Sequence, residues 1–314
     1  MARLPRSWTS ELSGSFHIIS RVAGGERIFG DEEKEYFLLL LEKLSKGFFV
    51  DVHSFCILDN HFHILATERD QQVRKASKRE LIRRYQEIFG KESQPPPGSY
   101  ERDGTVLPDE DDGLERLRSR LGSISRFTQE LKQGLSRWYN KRSKRRGYLW
   151  AERFKGVIVG KGEAQLVCSA YIDLNPIRAG IVKWPEDYRW SSIGLMSRDP
   201  KRARRLLSPL SPERVTGEGG GYSLYRLFVY EAGGIKKDNR AAISEKKVQE
   251  VRRLLGRLGL GDQLRYRMRN LTEGHAIGSR ELIEQVQGKN RRRHIKPRNL
   301  TEGESLFTTR VLKL

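Results

Sequence analysis

Cysteine is scarce: Cys56 and Cys168 are the two in 314 residues. Both stand in apolar runs without metal-ligand spacing, so the chain offers neither a disulfide framework nor a cysteine metal site. They read as reduced core thiols of an intracellular protein. Long apolar runs are also missing. No stretch approaches the ~20 apolar residues that a spanning helix needs, and no signal-peptide pattern precedes the first strand. A cytoplasmic, nucleoid-associated protein is the expectation. Histidine is sparse, at six, and acidic residues are in deficit, with 40 Asp and Glu against 60 Lys and Arg.

That deficit leaves a formal net charge of +20 and a sequence pI near 10.1. Such an excess repels itself in a compact state unless a polyanion lies against it. Nucleic acid fits, because each phosphate neutralised by Lys or Arg releases a condensed counterion. An anionic membrane surface is the competing partner. The chain length calls for one large or two modest domains.

Gly14 to Val22 reads as a first strand, and Gly24-Gly25 breaks it. Asp31 starts a helical pattern through Tyr36, Leu39, Leu40 and Leu44. Phe48 to Leu58 reads as a second strand. Asp59-Asn60 makes a turn, and His61 to Thr67 returns as a third, so the two are expected to pair as a hairpin. A basic helix spans roughly Gln71 to Phe89. From Gly90 to Gly113 the pattern collapses around Gln94-Pro-Pro-Pro-Gly98 and Pro108-Asp-Glu-Asp-Asp112, which reads as a mobile insertion. Ile124, Phe127, Leu131, Leu135 and Trp138 then form one apolar stripe. Arg153 to Val159 reads as a further strand and Gly162 to Ile177 as an amphipathic helix.

This order predicts an α+β domain over 1–192 with a ferredoxin-like, or RRM-like, antiparallel sheet flanked by helices. A basic Gly-rich connector over 193–240 and a small helical, DNA-binding module over 241–314 follow. In that module Val248, Val251, Leu254 and Leu255 mark one helix. A second starts after Ser279, with Leu282, Ile283 and Val286 on one side. There is no internal repeat.

Chemistry enters with His61-Phe-His63. Side chains two apart on a strand share a face, so both imidazoles are presented together while Phe62 turns to the opposite layer. A divalent metal suits such a pair. Imidazole favours Mn²⁺, and Mg²⁺ prefers oxygen. Taken alone, His-x-His also fits two unrelated histidines, and His17 and His53, on other strands, read as packing residues. On a helix, Tyr171 and Asn175 are four apart and share a face, and Pro176 ends the regular pattern just beyond them. A tyrosine can attack a phosphodiester that a metal polarises, and the Asn175 amide oxygen can serve as a third, hard ligand. A packed aromatic and a helix stop explain the same residues locally.

The segments Phe16-His-Ile-Ile-Ser-Arg21, Asn60-His-Phe-His-Ile-Leu65, Gly147-Tyr-Leu-Trp-Ala-Glu-Arg-Phe-Lys155, Tyr171-Ile-Asp-Leu-Asn-Pro-Ile-Arg-Ala-Gly180 and Tyr188-Arg-Trp-Ser-Ser192 follow in that order. Together they resemble the single-tyrosine His-hydrophobic-His (HUH) transposases, in particular the REP-associated tyrosine transposases. The resemblance spans about Phe16 to Ser192. It implies that His61, His63 and Asn175 hold a divalent ion, Mg²⁺ or Mn²⁺, and that Tyr171 attacks phosphorus. A 5′-phosphotyrosine intermediate and a free 3′-OH would result, with rejoining by the reverse attack. It further implies single-stranded DNA hairpins, REP-like palindromes, as partners, and a monomer or a homodimer. The 90–113 insertion and the C-terminal region lie outside it.

Arg137-Trp-Tyr-Asn-Lys-Arg-Ser-Lys-Arg-Arg146 interleaves aromatics with charge, which suits stacking on bases and tracking of phosphates. Arg137, Lys141, Arg142, Lys144, Arg145 and Arg146 are therefore candidate DNA contacts, joined by Arg153 and Lys155; Trp138 itself reads as core. Lys201 to Arg205 and Arg291 to Lys296 are auxiliary candidates. Two further readings compete: a basic nucleic-acid-binding module that uses the sheet only as a platform, and a domesticated relative that keeps the site without moving DNA.

Overall fold

The computed structural model describes residues 14–91, 93, 110–210, 221–235, 241–255, 276–288, 297–299 and 307–309. Most of the proposed insertion and the run Arg291 to Lys296 lie outside the described residues. The architecture is α+β, as the order of patterns predicts.

Four strands carry the site: β1 (Gly14–Arg21), β2 (Val50–Ile57), β3 (His61–Glu68) and β4 (Lys155–Gly160). They lie in the order β2-β3-β1-β4, and β1 pairs antiparallel with both β3 and β4. The expected hairpin joins β2 and β3, where the Leu58 N–H donates to the His61 carbonyl at 2.8 Å. Every residue of β1 except Arg21 is buried, which is the signature of a strand covered on both faces.

Three short strands extend the sheet beyond β4: β5 (Ala276–Gly278), β6 (Pro297–Asn299) and β7 (Phe307–Thr309), in the order β5-β7-β6. The sequence reading contains no strand there. At three residues each they are too short for an alternation pattern, and β5 exists by pairing parallel with β4. That pairing uses glycine. A Cβ on Gly160 would stand 3.0 Å from the Gly278 Cα.

The chain divides into two compact units. The first comprises Met1–Arg21, Val52–Ala66 and Glu152–Leu314. Besides the sheet it holds α6 (Glu163–Asp173), α7 (Asn175–Arg178), α8 (Ser192–Arg198), α9 (Pro200–Leu206), α10 (Gly221–Gly234), α11 (Glu245–Leu255) and α12 (Arg280–Gly288). Leu166, Ala170, Leu174 and Ile177 share one core with Tyr225, Phe228, Val229, Val248 and Val251. The described C-terminal helices α10 and α11 are thus packed on α6 and α7. At about 1.5–3 kcal/mol for each large apolar side chain taken out of water, that contact is a main restraint on α6.

The second unit comprises Val22–Asp51 and Thr67–Ala151 and contains α1 (Asp31–Gly47), α2 (Asp70–Lys75), α3 (Lys78–Phe89), α4 (Glu110–Gly122) and α5 (Ile124–Arg142). The single basic helix expected over 71–89 is two. Ala76 adopts φ −63°, ψ 133°, and Ser77 Oγ accepts from the Glu80 N–H at 3.2 Å to start α3. Glu110 to Gly113, assigned above to the insertion, open α4. The apolar stripe on α5 is buried at Ile124, Phe127, Leu131 and Leu135. Trp138 departs from it: it is half-buried and stacks on Tyr36 with ring centroids 4.3 Å apart.

Candidate active site on one face of the sheet

Alternation along β3 turns Phe62 inward, fully buried, and sets His61 and His63 together on the other face, with ring centroids 5.1 Å apart. The β1–β3 register places Ile19 opposite His63 and Arg21 opposite His61. His17, Ile19 and Arg21 therefore share the histidine face, and His17 is the diagonal neighbour of His63. The consequence is a buried contact: His17 Nε2 lies 2.9 Å from His63 Nδ1, and the rings stack at 5.1 Å. His17, a packing residue by sequence alone, is part of the site.

Two hydrogen bonds set which nitrogens remain for a ligand. His61 Nδ1 lies 2.7 Å from the Asn60 Oδ1. An amide oxygen only accepts, so Nδ1 carries the proton and Nε2 the lone pair. In His63 the Nδ1 is taken by His17, which again leaves Nε2. Both rings are held neutral. Burial, then the Arg21 charge, lowers the His61 pKa to about 4. Burial, then His17, His61 and Arg21, holds His63 well below its ordinary value. Neutral imidazoles with Nδ1 anchored are what a metal ligand requires.

Tyr171 comes from α6. Its ring meets His63 edge-on at 5.9 Å and His17 at the same distance. The Arg178 guanidinium, from α7, lies 5.3 Å from its centroid. The break between α6 and α7 has a simple cause. Pro176 has no N–H to give the Ile172 carbonyl, and Asn175 Nδ2 donates there at 3.3 Å and to the Tyr171 carbonyl at 2.9 Å. Its Oδ1 takes no part in either bond.

Two residues after the tyrosine, Asp173 is fully buried. It accepts from Tyr225 Oη at 2.5 Å, Ser192 Oγ at 2.7 Å and the Ile193 N–H at 3.1 Å. Burial raises its pKa to about 6, against the pull of these donors. The network ties α6 to α8 and α10.

Of the candidate DNA contacts, Lys155 shares the site's face. Ile19 is opposite both His63 and Lys155, so the three form one row across the sheet, roughly 10 Å from His63 to Lys155 at two strand spacings. Arg153, just before β4, is exposed. Arg137, Lys141, Arg142, Lys144, Arg145 and Arg146 belong to the second unit. There Arg142 pairs with Glu32 and Arg145 with Glu26 at 3.1 Å, so two of the six cations are partly neutralised. Lys201 to Arg205 lie on α9.

Sequence reading missed His17, Arg21 and Arg178. Their signal is the period of two along β1 and the short offset of Arg178 from Asn175. Neither can be used until the β1–β3 register and the α6–α7 break are known. Among the described residues no three or more His, Cys, Asp or Glu side chains are grouped to hold a metal ion. No helix among them is long and apolar enough to cross a membrane.

No protein-family model matches the chain, and no curated protein matches it. Among solved structures, one of a REP-associated tyrosine transposase bound to a REP hairpin is similar. It has 14% sequence identity and a TM-score of 0.40, and the match covers 70% of this chain and 97% of that one.

Proposed function

We propose that the chain is a metal-dependent single-strand DNA endonuclease and strand transferase of the tyrosine-transposase kind. On this reading it nicks and rejoins hairpin-bearing, REP-like palindromic DNA through a 5′-phosphotyrosine. The observation that carries the reading is the packing of the Tyr171 ring against His63, itself beside His61. A phenol against one neutral imidazole with an anchored Nδ1, itself beside a second such imidazole, has little use in a purely structural core.

His61 and His63 would hold a divalent ion through Nε2, with the Asn175 Oδ1 as third donor, and the donor set favours Mn²⁺ over Mg²⁺. Such an ion supplies Lewis-acid polarisation of the scissile phosphate. The chain's own residues do the rest. Tyr171 Oη gives up its proton and forms a bond to phosphorus; the bond from phosphorus to the 3′ oxygen breaks, and that oxygen takes a proton to become a 3′-OH. Attack by a 3′-OH on the phosphotyrosine reverses the change and needs no external energy source. Arg178 and Lys155 supply positive charge near the phosphates, and His17 fixes the orientation of His63.

Incubation of the chain with hairpin-bearing single strands taken from DNA flanking its gene, in Mn²⁺, is expected to yield a covalent protein–DNA adduct on a denaturing gel. Tyr171→Phe should abolish the adduct and His61→Ala should abolish cleavage while retaining most binding; unchanged turnover in either variant sinks the assignment. A non-catalytic binding module is favoured by one observation, the 6% exposure of Tyr171. Metal-independent binding without cleavage of any single strand would establish that alternative.

A further inference from the structure

A cleft in the second unit is lined by apolar and basic side chains together. It encloses about 340 Å³, within the range of roughly 300–1,000 Å³ usual for small-ligand sites. Leu40, Ile88 and Phe89 line it, with Gly134 at its base on α5. The absence of a side chain there lets Leu40 of α1 pack closely on α5, since a Cβ on Gly134 would stand 2.6 Å from Leu40 Cδ2. Tyr36 and Trp138, stacked at 4.3 Å with planes 8° apart, form an aromatic wall.

Lys43, Arg137 and Lys141 contribute to the lining, all three exposed. The lining carboxylate, Glu130, is engaged by Arg120 at 2.8 Å, so the charge offered to a ligand is positive. A ligand for this cleft needs a flat, largely apolar group to sit among aromatic rings, and anionic groups on either side of it. Unpaired nucleotides have both; a duplex keeps its bases inside the stack.

We propose that this cleft is a base-binding subsite for single-stranded DNA, in which one unpaired base packs against the Tyr36–Trp138 pair, whose inner faces are turned to each other, while Lys43, Arg137 and Lys141 hold the adjoining phosphates. The choice of DNA over RNA rests on the function proposed above; the stacking geometry does not. The subsite gives the chain a grip on unpaired strand that depends on the presence of bases, beyond general attraction to phosphate.

The test uses the full chain carrying Tyr171→Phe, so that binding is read without covalent trapping. Two fluorescein-labelled 12-residue probes are compared, an oligothymidylate and an oligomer with the same phosphates but abasic tetrahydrofuran linkers. The oligothymidylate should bind about 10-fold more tightly, and Tyr36→Ala should weaken it about 5- to 100-fold while changing the abasic probe less than about 2-fold. Lys43→Glu, an exposed change that leaves the fold intact, should weaken both. A single 5-iododeoxyuridine in the strand should photocrosslink to peptides from α1 or α5.

Equal binding of the two probes, or oligothymidylate binding unmoved by both variants, overturns the proposal. Tighter binding of an oligouridylate overturns the assignment to DNA. So does displacement of the strand from the cleft by a Glu- and Phe-containing peptide at lower concentration than by unlabelled oligothymidylate. Adduct formation at Tyr171 in the otherwise unaltered chain is scored separately. Base-dependent binding without any adduct overturns the nicking reading alone, and a normal adduct with base-independent binding overturns the subsite alone.

Discussion

His17 contributes a nitrogen 2.9 Å from His63 Nδ1 in a buried contact on the sheet. A partner at that position fixes the rotation and tautomer of a ligating imidazole, and loss of such a partner typically costs about 10–100-fold in metal affinity. His17→Ala is therefore expected to weaken Mn²⁺ binding by that factor in calorimetry, while the far-ultraviolet dichroism stays that of the unaltered chain. His17→Gln, which retains an acceptor oxygen, should lose less. Equal affinity in all three proteins would show that His63 orients without help.

Asp173 gives a pH-dependent term whose sign is fixed. Its pKa is about 6 in the folded chain against an ordinary 3.8. The folded state therefore binds the proton more tightly, and this contribution to stability is full below pH 3.8 and is lost as pH rises through about 6. His61 acts oppositely, because its folded pKa is near 4 and its unfolded value 6.5; its contribution grows as pH rises across that interval. Urea midpoints from pH 4 to 7 should separate the two. Asp173→Asn should climb more steeply with pH than the unaltered chain, and His61→Ala should climb less. Parallel curves would mean that neither group is shifted.

Among the elements, α8 is tied through Asp173 to α6, which carries Tyr171. The start of α8 is set by Ser191, whose Oγ accepts from the Gly194 N–H at 3.2 Å, and by the close approach of Gly194 to the preceding turn. A Cβ on Gly194 would stand 1.9 Å from the Tyr188 carbonyl oxygen. Backbone cannot yield there as a side-chain end can, so Gly194→Ala is expected to destabilise the fold by about 3 kcal/mol or more. Because Ser192 and Ile193 bind Asp173, adduct formation should fall with stability. Denaturation midpoints that match the unaltered chain would refute the argument.

Elements with strong local signals were legible in the sequence. The strands β1 to β4, α1, the stripe on α5 and the stop at Pro176 all stand within a residue or two of their patterns. The break at Ala76 was not, because Ala and Lys on either side favour helix, and the capping hydroxyl of Ser77 competes with them only once α3 is packed. Strands β5 to β7 were illegible for a different reason. Three residues carry no period, and the strand state comes from neighbours already in the sheet.

For the whole molecule, the +20 charge makes attraction to a polyanion a property of composition. The logarithm of affinity for a single strand should fall linearly with the logarithm of salt concentration, with a slope of about −0.7 for each phosphate neutralised. A slope several units steep is expected for a chain with cations on both units. Binding insensitive to salt between 50 and 200 mM, a range over which counterion release is pronounced, would contradict it.

The sequence by itself determined the charge, the alternation that pairs His61 with His63, and the plan of the first four strands, since each rests on local period or composition; Tyr171 and Asn175, expected on one helix, stand on α6 and α7, on either side of a break. Tertiary structure alone decided that His17 reaches His63, that the Tyr171 ring lies against both, and that Tyr36 and Trp138 stack into the wall of a cleft. Those contacts join residues far apart along the chain. They depend on strand register and helix packing, which are set by the burial of whole faces and leave no local mark on the residues that meet.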